Sequence, residues 1–105
     1  MCIRDRYIGK AEYVLSTFLH VVDLVFIDAD KKNLALYYDL IFDKVASGGV
    51  ILVDNMLWKG KVLENKEKDI ITKSIQNFTK KIHEDTRVNQ LIMPIRDGLM
   101  LIVKK

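Results

Sequence analysis

LVFIDADK at residues 24–31 and VILVDN at residues 50–55 are the stretches that decide the fold. Each opens with four consecutive apolar residues, rich in Val and Ile and without polar alternation. That pattern is typical of a strand covered on both faces, as in a parallel sheet. A short apolar helix is the competing interpretation, but the acidic end of each run and Gly48-Gly49 before the second argue against it. We therefore predict two strands that each end in an acidic cluster.

A helix is predicted between the two strands. From Asn33 to Val45, apolar residues recur in steps of three and four, which places them on one helical face. These residues are Leu34, Leu36, Tyr37, Leu40, Ile41 and Val45. Strand, helix and strand form a βαβ unit, so the two strands should be parallel. Both acidic clusters should then emerge at the carboxyl edge of the sheet, where open α/β sheets bind ligands.

The remaining segments complete an α/β pattern. Residues 1–6 show no periodicity and are expected to be a non-native or artefactual amino terminus, leaving 7–105 as one partial domain. The elements predicted there are the end of a strand at Tyr7–Gly9, helices at Ala11–Leu19 and Asp69–Glu84, and strands at Val88–Ile95 and Leu99–Val103. Asp97-Gly98 between the last two strands predicts an antiparallel hairpin.

Bulk composition limits the class of protein. The chain has 105 residues, half of them apolar, which suits one small domain with a core. No apolar stretch approaches a membrane span, so no membrane partner is expected. The single cysteine excludes an internal disulfide and favours a cytoplasmic location. The net charge of +3 comes mostly from scattered lysines, which indicates a solvated face rather than a phosphate- or RNA-binding one.

The acidic clusters have the chemistry of a hard-metal site. Asp28, Asp54 and Asn55 offer only oxygen donors, which select Mg²⁺, Ca²⁺ or Mn²⁺ over Zn²⁺. Lys31 follows Asp28 by three residues and can face the same crevice as a general base. Two structural alternatives stay open at this point. Asp30 could cap the crossover helix, and Asp54-Asn55 could form an ordinary turn.

Three stretches carry a family resemblance that covers nearly all of residues 7–105. They read DLVFIDADKKNLALYYD, GGVILVDNMLWKGKV and RVNQLIMPIRDGLMLIVKK. Together they resemble the S-adenosylmethionine-dependent, metal-dependent O-methyltransferases of the catechol and caffeoyl-CoA type. The fold implied is the carboxyl-terminal part of a Rossmann-like class I methyltransferase sheet, with parallel strands and a terminal antiparallel hairpin.

The resemblance also implies roles for individual residues. It makes Asp28, Asp54 and Asn55 the metal ligands and Lys31 the catalytic base. It places Gly9, Ala11, Asp28 and Asp30 at the cofactor and Trp58 in the wall of the substrate pocket, although core packing explains Trp58 nearly as well. Asp97 is assigned to the hairpin rather than to catalysis.

The activity implied is transfer of a methyl group to a hydroxyl of a catechol-like or other small molecule, by a homodimer when the protein is full length. One alternative is a tRNA hydroxyuridine O-methyltransferase of the same family, in which a hydroxylated tRNA base is the acceptor. Another is a non-enzymatic α/β interaction module. Family members are roughly twice this length, the size of an ordinary domain. The amino-terminal half is therefore expected to be missing, and the isolated fragment is expected to be inactive.

The first prediction concerns binding of the cofactor by this chain. No glycine-rich G-x-G-x-x-G turn, which would cradle a cofactor, occurs in the sequence. We expect the 105-residue chain to bind S-adenosylmethionine weakly or not at all. Titration calorimetry in the presence of Mg²⁺ checks this, and micromolar binding would contradict it.

Overall fold

The computed structural model describes residues 6–57 and 70–105 of the chain. Four strands and three α-helices succeed one another there, with a 3₁₀ turn at Lys31–Asn33. The helices are α1 (Ala11–Thr17), α2 (Leu34–Phe42) and α3 (Ile70–Glu84), and the strands are β1 (Val22–Ile27), β2 (Val45–Val53), β3 (Val88–Met93) and β4 (Leu99–Lys104). Within the described ranges, no helix has the length and apolar character needed to cross a membrane.

The sheet has the order β1-β2-β4-β3. β1 runs parallel to β2, with Ile27 opposite Val53 at their carboxyl ends. β4 runs antiparallel to β2 on one side and to β3 on the other. The predicted βαβ unit and the predicted antiparallel hairpin are therefore both confirmed.

The connection between β1 and β2 differs from the prediction. The expected helix over 33–45 is shortened to α2 and preceded by the 3₁₀ turn, while β2 begins already at Val45. Gly48-Gly49 lies inside β2 instead of forming a turn before it. A Cβ atom on Gly49 would lie 2.6 Å from Val45 Cγ1 and 2.7 Å from the Ala46 carbonyl oxygen, so no side chain fits at this position of the strand. The β1–β2 register shifts accordingly between Val22 and Leu24.

Two predicted strand segments are also corrected. Tyr7–Gly9 is not a strand, because no other segment of the described chain pairs with it, and Ile8 is 91% exposed. The segment predicted over Val88–Ile95 ends at Met93, immediately before Pro94. Proline has no backbone N–H to give to the sheet ladder, so the strand stops there.

The core lies between the sheet and the two longer helices. α3 presents Thr72, Ile75, Phe78 and Ile82 as a buried stripe at helical spacing. Tyr38 of α2 is fully buried and meets the Phe78 ring edge-on at 5.9 Å between centroids. The sheet contributes Ile51, Val53, Met100 and Ile102, which are each no more than 1% exposed. Burial of each large apolar side chain contributes about 1.5–3 kcal/mol.

β1 is covered on one face only in the described chain. Ile27 is buried against the core, whereas Leu24 is 62% exposed and Phe26 is 56% exposed. β1 is also the outer strand of the sheet, so its second edge has no hydrogen-bonded neighbour among the described residues. The prediction that this strand is buried on both faces is therefore wrong for the part of the chain described.

Hydrogen bonds among Tyr38, Asp85 and Arg87 connect α2 to the end of α3, and we call these three residues the polar anchor. The Tyr38 hydroxyl donates to Asp85 Oδ2 at 2.8 Å, and Arg87 Nε donates to Asp85 Oδ1 at 2.9 Å. The Arg87 guanidinium also stacks over the Phe42 ring at 3.9 Å. The hydrogen bonds from Arg87 hold the pKa of the Asp85 carboxyl well below its usual range, against the opposing effect of burial.

The anchor gives a pH-dependent stability prediction. Asp85→Asn should lower the free energy of unfolding at pH 7 by about 1–3 kcal/mol, because a charged acceptor of four hydrogen bonds is lost. A lowered folded-state pKa stabilises the fold above the ordinary aspartate pKa of about 4, and the gain disappears as pH falls through the folded-state value. Urea unfolding at pH 7 and pH 2 should therefore show the difference between variant and wild type shrinking at low pH.

Asp39→Asn is the matched control for this prediction. Asp39 pairs with Lys81 at 3.2 Å on the surface, where an ion pair contributes about 1 kcal/mol or less. Equal losses of unfolding free energy for the Asp39 and Asp85 variants at pH 7 would contradict the anchoring role of Asp85.

Candidate functional site

The two acidic clusters meet at the carboxyl edge of the β1–β2 pair. Asp28 and Asp54 each directly follow the last paired residues, Ile27 and Val53. The Asp54 N–H donates to the Ile27 carbonyl at 3.5 Å, which continues the pairing one step past the strands. Because neighbouring strands lie about 4.8 Å apart, the two carboxylates start from adjacent points of the edge.

Lys31 joins the two clusters. Its side chain is buried, at 8% exposure, and its Nζ donates to the Asp54 backbone carbonyl at 2.9 Å. Lysine is rarely buried unless its ammonium has partners. The 3₁₀ turn that follows Asp30 thus places Lys31 against the end of β2, as the shared-edge interpretation requires.

Asn55 has an unusual backbone. Its φ is 62°, in the left-handed region that Asn tolerates better than most residues. Its N–H donates to Asp54 Oδ1 at 2.8 Å, and its Nδ2 donates to Asp97 Oδ2 at 3.4 Å. The positive φ of Asn55 and the hydrogen bond within the Asp54-Asn55 pair thus fix the backbone directly after β2, where the ligand role of these two residues stays a prediction.

Two backbone hydrogen bonds hold the β3–β4 turn, residues 94–98, against the segment after β2. We call this contact the brace. The N–H of Met56 donates to the Gly98 carbonyl at 3.0 Å, and that of Leu57 donates to the Asp97 carbonyl at 2.7 Å. Sequence analysis assigned Asp97 to the hairpin alone. It does lie in the hairpin turn, but it also contacts Asn55, a contact that no local pattern indicates.

Asp30 is held by two side chains of the crossover segment. Asn33 Nδ2 donates to Asp30 Oδ2 at 2.6 Å, and the Tyr37 hydroxyl donates to Oδ1. The capping alternative fails, because the Asp30 side chain makes no cap hydrogen bond to the helix that follows. The Tyr37 contact holds the pKa of the Asp30 carboxyl below its usual range. The same contact raises the pKa of Tyr37 to about 12.

Two cavities open beside this edge. One has a volume of about 440 Å³, with Gly9, Ala11 and Asp28 in a mostly apolar wall. The other, of about 460 Å³, is lined by Asp30, Lys10, Glu12 and Asn33.

The two cavities adjoin, because Ala11, Ala29 and Tyr37 belong to both walls. Such volumes suit a small organic ligand. The structure thus brings Gly9, Ala11, Asp28 and Asp30, all predicted at the cofactor, around adjoining cavities.

The donor set fits a hard cation. Asp28, Asp54 and Asn55 present two carboxylates and one amide oxygen, the ligand types that Mg²⁺, Ca²⁺ and Mn²⁺ prefer. Within the described part of the chain, no group of three or more His, Cys, Asp or Glu side chains is arranged to hold a metal. The metal assignment therefore depends on the amide of Asn55 and stays a prediction.

Trp58, predicted in the substrate-pocket wall, lies outside the described residues.

Comparison with known proteins gives concordant matches. A family model described as O-methyltransferase matches residues 8–105. Probable caffeoyl-CoA O-methyltransferase 2 of Dictyostelium discoideum is 40% identical over 85 residues, covering 78% of this chain and 36% of that protein. Catechol O-methyltransferase domain-containing protein 1 of Mus musculus is 34% identical over 82 residues, covering 78% and 31%.

A solved structure shares the fold. The SAH-bound methyltransferase PaMTH1 of Podospora anserina aligns with a TM-score of 0.81 and 29% identity, over 92% of this chain and 47% of that one. The chain thus spans about a third of the length of the two curated relatives and about half of the solved structure.

The brace at the β3–β4 turn yields a prediction. Gly98 has a φ of 87°, and a Cβ atom there would lie 2.6 Å from Leu57 Cγ and 2.9 Å from Leu57 N. Gly98→Ala should therefore displace the segment after β2 and shift the amide resonances of Asp54 and Asn55 in ¹H–¹⁵N spectra. Left-handed strain adds about 1–2 kcal/mol to the loss of stability.

Gly48→Ala is the control that separates the steric clash with Leu57 from the strain of a positive φ angle. Gly48 has a φ of 81° but has no atom within 4 Å of a Cβ placed on it. The variant should lose a similar amount through strain and leave the Asp54 and Asn55 resonances in place. The brace would be contradicted if both variants perturbed those two residues equally.

Proposed function

Since this chain belongs to the O-methyltransferase family, we propose that it supplies the metal and base side of an S-adenosylmethionine-dependent enzyme. The reaction is methylation of a hydroxyl group on a catechol-like or other small molecule. The observation that carries the proposal is the meeting of Asp28, Lys31 and Asp54 at one sheet edge, fixed by the 2.9 Å bond from Lys31 Nζ to the Asp54 carbonyl.

The metal ligands proposed are Asp28, Asp54 and Asn55, with Mg²⁺ as the first choice and Ca²⁺ or Mn²⁺ as alternatives. When bound, a divalent cation would favour the ionised form of a substrate hydroxyl and hold two adjacent substrate oxygens. Asp97 supports this arrangement by accepting a hydrogen bond from Asn55 Nδ2 at 3.4 Å, since this leaves the Asn55 Oδ1 lone pairs to coordinate a cation.

Lys31 is proposed as the group that accepts the proton of the substrate hydroxyl. A neutral lysine amine keeps two hydrogens and one lone pair. One hydrogen can stay on the Asp54 carbonyl while the lone pair faces the substrate. The buried stem of Lys31 limits the movement of the amine, which favours proton transfer from one fixed direction.

The cofactor side of the proposal uses Gly9, Ala11, Asp28 and Asp30. The adjoining cavities at these residues support binding of the adenosyl part of S-adenosylmethionine. When bound, the cofactor would supply a methyl group on a positively charged sulfur; as the substrate oxygen bonded to the methyl carbon, the carbon–sulfur bond would break and S-adenosylhomocysteine would leave. Much of the acceleration should come from alignment of oxygen, methyl carbon and sulfur, which the edge residues impose by fixing the acceptor.

Substitution of Lys31 tests the function. The assay uses the chain joined to the portion of the Dictyostelium relative that it does not cover, with Mg²⁺, labelled S-adenosylmethionine and a catechol. Lys31→Met should lower kcat by about 10²–10⁴-fold, because the proton acceptor is lost. A metal chelator should abolish transfer, and added Mg²⁺ should restore it.

Lys32→Met is the matched control, since Lys32 is the exposed neighbour of Lys31 on the same 3₁₀ turn. It should leave kcat close to the unsubstituted value. Undiminished transfer in the folded Lys31 variant, or activity indifferent to the chelator, would refute the proposed roles. Methylation of tRNA in place of the catechol would instead favour the nucleic-acid substrate.

A further inference from the structure

The Asp30 carboxylate is exposed, yet both of its oxygens are restrained. Asn33 Nδ2 donates to Oδ2 at 2.6 Å, and the hydroxyl of Tyr37 donates to Oδ1. An exposed aspartate without such partners rotates freely about its side-chain bonds. Here the carboxylate keeps one orientation at the carboxyl edge of the sheet, two residues beyond Asp28.

The hydrogen bonds to Asp30 connect the segment after β1 to the crossover helix without capping it. The carboxylate makes no cap hydrogen bond to the helix that follows it. By contrast, the neighbouring Tyr38 donates to Asp85 at 2.8 Å, and that bond ties α2 to the end of α3. Two consecutive buried tyrosines therefore hold two carboxylates, one at the structural anchor and one at the candidate site.

Tyr37 lies beside the two cavities of the candidate site, and Asp30 lies beside one of them. Tyr37 is only 6% exposed and lines both cavities, whereas Asp30 lines the second of them. An ionised carboxylate has about four lone-pair positions. Asn33 and Tyr37 occupy two, so that others remain for hydrogen-bond donors of a ligand in that cavity.

We propose that Tyr37, assisted by Asn33, is a positioning residue that orients the Asp30 carboxylate to accept hydrogen bonds from the adenosyl part of the cofactor. The inference rests on the proposed function, and it adds a residue that the sequence analysis placed only on the apolar face of the crossover helix. Tyr37 acts through Asp30 and does not itself contact the reacting atoms.

A double-mutant cycle tests this role in the chain joined to the portion of the Dictyostelium relative that it does not cover. Millimolar S-adenosylhomocysteine is titrated into the ¹⁵N-labelled joined protein, and amide shifts give the dissociation constant. Tyr37→Phe should weaken binding about three- to tenfold, the effect of one lost neutral hydrogen bond. In the Asp30→Ala background, the same substitution should have no further effect, because its partner is absent.

Tyr38→Phe is the matched control. It removes a buried tyrosine hydroxyl that also donates to a carboxylate, but at the opposite end of α2. It should lower stability and leave the dissociation constant unchanged. Asn33→Ala should weaken binding in the same direction as Tyr37→Phe, since it frees the other oxygen of the carboxylate.

Three results would overturn the inference. Equal weakening by Tyr37→Phe with and without Asp30 would make the tyrosine a general structural residue. Wild-type affinity in the Tyr37 variant would remove its role altogether. Binding of S-adenosylhomocysteine by the joined wild-type protein without any amide shift at Asp30 would deny the cofactor contact, while the methyl-transfer assay decides the proposed function independently.

Discussion

The parallel pairing of β1 and β2 fixes both the packing of the core and the geometry of the candidate site. Ile27 lies opposite Val53, and the Asp54 N–H continues the ladder to the Ile27 carbonyl. A slip of one residue would turn every side chain of β1 to the other face. Ile27 would then leave the core and Asp28 would leave its position beside Asp54. Core packing and site geometry are therefore fixed by the same register.

The carboxyl edge of the sheet combines features that would each lower the stability of the fold on their own. Lys31 is buried, and Asn55 has a positive φ angle. Each feature is compensated by a hydrogen bond or a brace between segments that are distant in sequence. Strained or buried polar groups of this kind cluster at functional sites. Their concentration at the carboxyl edge agrees with the family membership and with the place where ligands bind open α/β sheets.

Stability is anchored at the opposite end of the sheet. Lys104 Nζ donates to the Phe42 carbonyl at 3.0 Å and to the Val45 carbonyl at 2.8 Å, which closes the junction between α2 and β2. Asp85 and Arg87 hold the same region from the side of α3. Because the anchor and the site lie at opposite ends of α2, substitutions can change one with limited effect on the other. The adjacent tyrosines 37 and 38 belong to these two separate systems.

Strands β1 and β2, their parallel relation, the terminal hairpin and the shared edge of Asp28, Lys31, Asp54 and Asn55 could be predicted from the amino-acid sequence alone. Those conclusions follow from periodicity and turn chemistry, which are local properties. Only the tertiary structure decided the contact of Asp97 with Asn55, 42 residues away, and that of Tyr37 with Asp30. It also decided that β1 is covered on one face and that Gly49 lies within β2. Such features depend on which segments lie against each other, because hydrogen bonds and close packing between distant segments leave no period in the chain.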